Sequence, residues 1–286
     1  MLAQRTGAVP PASTGPGADS DQDPAPNTNA IVRHDVRPVR AAFDHVGTAV
    51  GAGVNEVRGF AWQEAVTQSW RLVVVTVVPA VLIAVPCGVI VTVQVGNLLS
   101  GSGADSLWGS VGGFAVVKQG APLATGLLLG GAGAALIAAD LGARTVRGEI
   151  DALRAMGIDP MRRLVIPRLV AMAFVAPLLD VVVIAVGIAA GYVVAVGVEG
   201  IAPGSYWSTF GSFVTVLDVW MSLLKALVAG IVVVLIACRR GLTAGGGPRG
   251  VADAVNAAVA WSVVAIVASN VVLTQLVGLA VPARLV

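Results

Sequence analysis

Long apolar stretches without charge alternate along the chain with short segments rich in arginine and aspartate. The longest charge-free intervals separate Arg71 from Asp105, Lys118 from Asp140, and Asp253 from Arg284. Each interval is long enough for the roughly 20 apolar residues that a helix needs to cross a bilayer. The pattern predicts an all-α polytopic membrane protein with five transmembrane helices, at about 72–97, 121–143, 164–196, 217–238 and 255–280.

The residues before the first span divide into two parts. Residues 1–30 are rich in Pro, Ala, Gly and Asp, with almost no large apolar side chains, which predicts a disordered tail. Within residues 31–70, apolar side chains recur every three or four positions, at Val36, Val39, Phe43, Val46, Val50, Val54 and Val57. This spacing favours an N-terminal amphipathic helix in the membrane interface, and a helix packed on another protein is the alternative. Residues 71–286 then form the five-helix membrane domain.

Composition and charge support membrane insertion and predict its direction. The chain of 286 residues is 56% hydrophobic and only 12% charged, whereas soluble domains carry about 25% charged residues. The loops after the second and fourth spans hold Arg144, Arg147, Arg154, Arg162, Arg163, Arg239, Arg240 and Arg249. Because basic loops stay in the cytoplasm, we expect an inner (plasma) membrane protein with its N-terminus in the cytoplasm and its C-terminus outside.

Small residues recur every four positions along the second predicted span, at Gly126, Gly130, Ala134, Ala138 and Gly142. Small side chains at this spacing let helix backbones approach closely in lipid. The face is therefore predicted to pack against another helix. It serves either tight internal packing or a transport pathway.

The loop between the second and third spans has the pattern of a short capped helix. From Glu149 to Met156, one side carries Ile150, Leu153 and Met156, whereas Asp151 and Arg154 lie off that side. Gly157 is suited to end the helix, because glycine accepts the left-handed C′ conformation. Asp159 and Pro160 fit the N-cap and first position of the next helix. The sequence predicts a compact helix–turn–helix, and a basic loop that is helical without further function is the alternative.

Two charges lie deep inside predicted spans, namely Asp180 in the third and Lys225 in the fourth. Ionisable residues inside a membrane are candidates for function, and structural ion pairing is the alternative. At 1.5 Å per residue, each lies about 20 Å from the arginine that marks the cytoplasmic end of its helix. A salt bridge between them is therefore geometrically allowed. Asp140 and Arg144, by contrast, form an i,i+4 pair that needs no functional explanation.

Enzymatic chemistry finds no support in the sequence. The histidines, His34 and His45, both precede the first span, so no Ser–His centre can be built in the membrane, and no Cys/His cluster has metal-ligand spacing. The glycine-rich run 245–250 lacks the Lys-Ser/Thr of a phosphate-binding loop. We therefore expect no catalytic residue, metal or cofactor in this chain, no nucleic-acid partner, and ATP with Mg²⁺ only on a partner ATPase.

Three segments resemble a known family. The run Gly-Glu-Ile-Asp-Ala-Leu-Arg-Ala-Met-Gly-Ile-Asp-Pro at 148–160, continued by Leu164-Val-Ile-Pro-Arg-Leu-Val-Ala, is similar to the hallmark of the MlaE/YrbE permeases. Asp218 to Lys225 with Cys238-Arg-Arg-Gly241 is a second match, and residues 245–259 are a third. The segment Val-Ala-Asp-Ala-Val-Asn within the third match resembles the B-type YrbE proteins of actinobacterial mce systems. It departs from the Gly-Arg-Ala that the broader family favours near 252–254.

The resemblance implies a permease subunit of an ATP-driven lipid transporter associated with MCE-domain proteins. It implies that the helix Glu149–Met156 is a coupling helix that docks in a groove of an ABC ATPase. Two permease and two ATPase subunits would form the core. The B-type likeness, together with the small-residue face of the second span, suggests a heterodimer with a second, related permease. A secondary transporter and a structural membrane anchor are the alternatives, and neither would require a nucleotide-binding subunit.

Overall fold

The computed structural model describes residues 62–101 and 108–280, which belong to the unit Gly59–Val286. The predicted disordered tail at 1–30 and the amphipathic stripe from Val36 to Val57 lie outside the described residues. Within the described ranges the chain is helical and contains no β-strand.

Nine α-helices occupy the described part of the chain. In chain order they are α1 (Trp62–Ser100), α2 (Trp108–Ala115), α3 (Ala121–Leu128), α4 (Ala134–Val146), α5 (Glu149–Ala155), α6 (Ile166–Gly197), α7 (Pro203–Phe213), α8 (Val216–Leu242) and α9 (Pro248–Ala280). Three π-helical segments lie between them, at Val116–Gly120, Leu129–Gly133 and Met161–Val165.

Five helical stretches of the described residues are long and apolar enough to cross a membrane: Ala65–Leu98, Gly112–Val146, Met161–Gly197, Val216–Leu242 and Pro248–Leu279. The prediction of an all-α protein with five spanning helices is confirmed. Helix α1 begins at Trp62, and residues 62–70 are continuous with the first span.

Proline and glycine explain why the second span is not a regular α-helix. Pro122 has no backbone N–H, so the donor that an α-helix would offer to the carbonyl of Lys118 is missing. Just before it, the N–H of Ala121 bonds to the carbonyl of Val116, five residues earlier. The second π-helical segment is Leu-Gly-Gly-Ala-Gly, and glycine is a weak helix former. Such segments are frequent at functional sites.

The second span lies at the centre of the bundle. Of its apolar window 61% is buried, against 22% for the first and the fifth spans. Helix α4 packs against α8 and α9, and α6 packs against α1 and α8. Helices α1 and α9 are therefore peripheral, and each presents an apolar face outwards, including Leu82 and Val264.

A close crossing joins α1 to α6 through glycine. A Cβ atom at Gly88 would collide with the carbonyl oxygen of Gly187, and one at Gly191 would lie 2.5 Å from Oγ1 of Thr92. Close approach of this kind gains van der Waals contact where lipid gives no hydrophobic drive for association. The crossing fixes the peripheral helix α1 on α6.

Candidate functional site

Helix α5 is a short element held between two left-handed glycines. Gly148 precedes it with φ 76°, and Gly157 follows its C-cap with φ 74°. The N–H of Gly157 bonds to the carbonyl of Arg154, and the N–H of Ile158 bonds to that of Leu153, both at 3.0 Å. This pair of bonds is the Schellman motif, in which the C′ position favours glycine. The prediction that Gly157 ends the helix is confirmed.

The next helical turn starts as the sequence predicts. The carboxylate Oδ1 of Asp159 accepts a 2.9 Å hydrogen bond from the backbone N–H of Met161, with Pro160 between them. An acidic N-cap followed by proline satisfies a free N–H and fixes the entry into the helix. The connection between the second and third spans is therefore a defined helix–turn–helix.

The two sides of α5 face different surroundings. Ile150 is 3% exposed within the hydrophobic core, and Leu153 packs against that core. Met156 is 64% exposed, and the side chains of Asp151 and Arg154 are exposed as well. Along the predicted row Ile150, Leu153 and Met156, exposure rises toward the end of the helix.

Charged side chains link α5 to the end of α4. Nε of Arg147 donates to Oε1 of Glu149 at 2.8 Å, and Nη1 of Arg144 lies 3.9 Å from Oε2 of the same carboxylate. On the outer surface, Arg154 and Asp151 pair at 3.1 Å. Exposed pairs of this kind stabilise a protein by at most about 1 kcal/mol each. They orient the side chains of α5 more than they stabilise it.

Asp140 makes the predicted i,i+4 contact and a second one that the sequence did not reveal. Its Oδ1 accepts from Nε of Arg144 at 3.4 Å, and its Oδ2 pairs with Nη2 of Arg168 on α6. Arg168 is 2% exposed, and its Nη1 donates to the carbonyl of Leu164 at 2.6 Å. From the sequence, Arg168 is expected only to mark the cytoplasmic end of a span. Its contact with Asp140, 28 residues away, leaves no local pattern. A buried, paired arginine joins α4 to α6 at the level of α5.

Asp180 lies fully buried between three helices. Its Oδ1 accepts a hydrogen bond from Thr125 of α3 at 3.1 Å, and its Oδ2 accepts one from Ser222 of α8 at 2.7 Å. Two hydroxyl donors thus satisfy both carboxyl oxygens. Buried polar groups in membranes are stabilised by partners of this kind.

Lys225 has other partners. Its ammonium donates to the backbone carbonyl of Lys118 at 3.0 Å and to Oε1 of Gln119 at 3.4 Å, and Asn270 of α9 donates to the same Gln119 oxygen at 3.4 Å. In the part of the chain that the structure describes, no ion pair joins Lys225 to Asp180. The two deep charges do not pair, because each finds hydrogen-bond partners of its own.

An ion pair between Lys118 and Asp218 lies beside Lys225. The ammonium of Lys118 is 3.0 Å from Oδ1 of Asp218 and 4.2 Å from the ring centre of Phe114. Asp218 also completes a capping box with Thr215, which fixes the start of α8. We name Lys118, Gln119, Asp218, Lys225 and Asn270 the polar cluster. It lies toward the bundle end opposite α5.

Aromatic rings of α6 and α7 pack together at the bundle end opposite α5. Tyr206 packs edge-on against Tyr192 of α6 at 5.3 Å and against Trp207 at 5.7 Å, and stacks with Phe210 at 6.5 Å. Burial raises the pKa of the Tyr206 hydroxyl above its usual value. Tyrosine and tryptophan are typical of the membrane–water interface, where one end of the ring is apolar and the other is wet.

The predicted small-residue face packs inside the chain. A Cβ atom at Gly126 would lie 2.7 Å from Cγ2 of Ile266, and one at Gly142 would lie 3.2 Å from Cγ1 of Val251, both on α9. Gly130 faces Ile266 too, and Ala134 and Ala138 are completely buried. Of the two alternatives, the structure favours internal packing. The face is covered by the chain's own helices and offers no surface to a second subunit.

An apolar cavity that opens to the surface of the described residues lies beside that face, between α1 and the second span. Its volume is about 440 Å³, and its lining includes Ile83, Cys87, Leu123, Leu127 and Gly131. A Cβ atom at Gly131 would meet no described atom within 4 Å. The cavity could hold a slender apolar group.

Comparison with known proteins agrees with this architecture. The profile of the family described as "Permease MlaE" matches residues 65–276. A probable ABC transporter permease of Synechocystis is 32% identical over 189 residues, which are 66% of this chain and 72% of that protein. The intermembrane phospholipid transport system permease MlaE of Haemophilus influenzae is 26% identical over 60% of this chain and 67% of its own length. The chloroplastic protein TRIGALACTOSYLDIACYLGLYCEROL 1 of Arabidopsis thaliana is 28% identical over 66% of this chain and 54% of its own.

Among the described residues, the family match covers four of the five helices that can cross a membrane in full and the fifth as far as residue 276. It also covers α5, the buried carboxylate of Asp180 and the polar cluster. The chain therefore belongs to the MlaE permease family, as a multi-pass membrane permease and not an enzyme.

Proposed function

We propose that this chain is the membrane subunit of an ATP-driven lipid transporter, and that α5 is the coupling helix that docks on a separate ABC ATPase. The observation that carries the proposal is that α5 is anchored in the core and yet presents exposed side chains. Ile150 lies in the core, while Asp151, Arg154 and Met156 are exposed. A helix that is anchored in the bundle and also has exposed side chains is suited to receive force from a partner.

The bundle end that carries α5 is the cytoplasmic end in this proposal. Arginines concentrate there, both around α5 and after α8, and basic segments remain in the cytoplasm. The aromatic group of α7 then lies at the outer interface, and the C-terminus lies outside. ATP and Mg²⁺ would bind only to the ATPase, on the same side as α5.

A lipid is the transported molecule in this proposal, supported by the phospholipid transport named for the H. influenzae relative. The apolar cavity suits an acyl chain, because its lining is almost free of polar atoms. The polar cluster offers the ammonium of Lys225, which donates to no carboxylate among the described residues, to a polar headgroup. MCE-domain proteins would continue the path outward.

A second permease subunit completes the transporter in this proposal. The small-residue face is covered inside the chain, so the partner would pack on the exposed apolar faces of α1 or α9, which include Leu82, Val264 and Val272. The B-type likeness of residues 251–256 supports a related but different partner. Native mass spectrometry of the endogenous assembly should find one copy of this chain per pair of ATPase subunits, and two copies would contradict the heterodimer.

The coupling role is tested by Met156→Glu in the purified assembly. The change places a charge on the outer side of α5 and should reduce both the ATPase that co-purifies and lipid transfer between vesicles. Val198→Glu is the matched control, because Val198 is 74% exposed and follows α6 at the opposite end. Equal ATPase recovery in both variants would contradict docking at α5, and an unmodified assembly without a nucleotide-binding subunit would favour a secondary transporter or an anchor.

A further inference from the structure

A continuous series of ion pairs runs from α5 into the buried end of α6. Glu149 on α5 lies 3.9 Å from Nη1 of Arg144, and Nε of Arg144 lies 3.4 Å from Oδ1 of Asp140. The other oxygen of Asp140 pairs with Arg168. We name these four residues the ion-pair chain. It joins three helices that are separated in sequence by turns and a π-helical segment.

Burial increases along the ion-pair chain. The exposed fraction of the side chain is 44% at Glu149, 28% at Arg144 and 30% at Asp140, and it falls to 2% at Arg168. Arg168 keeps a second bond to the carbonyl of Leu164, and its Nε has no hydrogen-bond partner among the described residues. A buried charge with so few partners is held in place by the one carboxylate that faces it. The position of Arg168 therefore depends on Asp140.

The attachment of α5 to the bundle leaves room for movement. Left-handed glycines stand before and after the helix, and no described side chain caps its N-terminus. Ile150 is its only fully buried side chain within Glu149–Ala155. Apart from the apolar contacts of Ile150 and Leu153 and the backbone, the ion-pair chain is the route by which a displacement of α5 reaches α6.

We propose that Arg144, Asp140 and Arg168 are positioning residues of energy coupling, which transmit a displacement of α5 to the inner end of α6. The inference rests on the proposed function, since it assigns to these residues the transfer of motion from the ATPase. When Glu149 moves with α5, it draws Arg144 away from Asp140. Asp140 then changes its contact with Arg168, and α6 shifts against α4. A merely structural ion pair between α4 and α6 would need only Asp140 and Arg168.

The test is the number of lipid molecules transferred per ATP hydrolysed by the whole purified assembly in vesicles. Arg144→Gln interrupts the ion-pair chain and leaves the buried Asp140–Arg168 pair intact, so folding is preserved. We expect the ratio to fall at least about fivefold, the lower end of typical allosteric coupling, with the amount of co-purified ATPase unchanged. Arg249→Gln removes an exposed arginine at the same end outside the chain of pairs and should keep the ratio.

A double variant separates coupling from folding. Asp140→Asn alone leaves Arg168 buried without a counter-charge and should unfold readily, whereas Asp140→Asn with Arg168→Gln removes both charges and should recover the folded protein. We expect the double variant to hydrolyse ATP with the same low ratio of transfer. Loss of folded protein would lower transfer and hydrolysis together and leave the ratio constant.

The outcomes are distinguishable from those of the proposed function. If the unmodified assembly transfers lipid and Arg144→Gln or the folded double variant keeps the normal ratio, the positioning role is overturned and the transporter assignment stands. If the unmodified assembly contains no ATPase or moves no lipid, the proposed function fails first, and the inference fails with it.

Discussion

Asp180 of α6 accepts a 2.7 Å hydrogen bond from Ser222 of α8, and Ser222 lies one turn before Lys225 on α8. The bond joins two spans at a position where both side chains are fully enclosed. Thr125 satisfies the other carboxyl oxygen from α3. A single carboxylate therefore holds three helices in register inside the membrane.

Ser222→Ala should destabilise the folded bundle. The change removes a donor to a buried carboxylate, and an unsatisfied buried group costs about 1–3 kcal/mol. Ser262→Ala is the matched control, because Ser262 is equally buried and its hydroxyl has no hydrogen-bond partner in the described part of the chain. Thermal unfolding in detergent should show a lower midpoint for Ser222→Ala alone. Equal midpoints would mean that the Asp180 contact contributes nothing to stability.

Asp180→Asn and Lys225→Met should be only weakly coupled. The two side chains share no hydrogen-bond partner, since Asp180 binds hydroxyl groups and Lys225 binds the Lys118 carbonyl and Gln119. Their opposite charges still attract each other without a direct contact. We therefore expect the double variant to lose slightly less unfolding free energy than the sum of the two single losses. Recovery of stability in the double variant would instead show that the two residues form the salt bridge that the sequence allowed.

Gly157→Ala should destabilise the turn after α5. Gly157 has φ 74°, which costs an L-residue about 1–2 kcal/mol. Gly197→Ala is the control, because neither glycine has a described atom within 4 Å of an added Cβ and Gly197 is helical with an ordinary φ. Hydrogen exchange of α5 should accelerate in Gly157→Ala and not in Gly197→Ala. Unchanged exchange would show that the left-handed turn does not hold α5.

Local rules predicted the parts of the site that depend on neighbouring residues. Gly157 and Asp159 act within one turn of where they stand, through backbone conformation and an N-cap, so their roles follow from residue type and order. The five spans follow from the length of apolar sequence alone. Both kinds of inference need no knowledge of which helices are neighbours.

Tertiary pairing could not be predicted in the same way. Arg168 and Asp140 are 28 residues apart, and Asp180 and Ser222 are 42 apart. The sequence offered charged partners for charged residues, whereas the structure satisfies Asp180 with hydroxyls and Lys225 with a backbone carbonyl. Pro122 was the available signal for the contact of Lys225 with the Lys118 carbonyl, because proline leaves that carbonyl without its usual helical donor.

Gly131→Leu should remove lipid from the assembly without harming the fold. Gly131 lines the apolar cavity, and a side chain there enters open space instead of a neighbouring helix. Leucine is also the better helix former by nearly 1 kcal/mol, so the folded state should persist. If an acyl chain occupies the cavity, the leucine takes its place, and lipid that co-purifies with the assembly should fall, as measured by quantitative mass spectrometry. Gly197→Leu gives the same change in side chain at the end of α6, outside the cavity, and should keep the lipid. Equal lipid content in the two variants would show that this cavity is not on the lipid path.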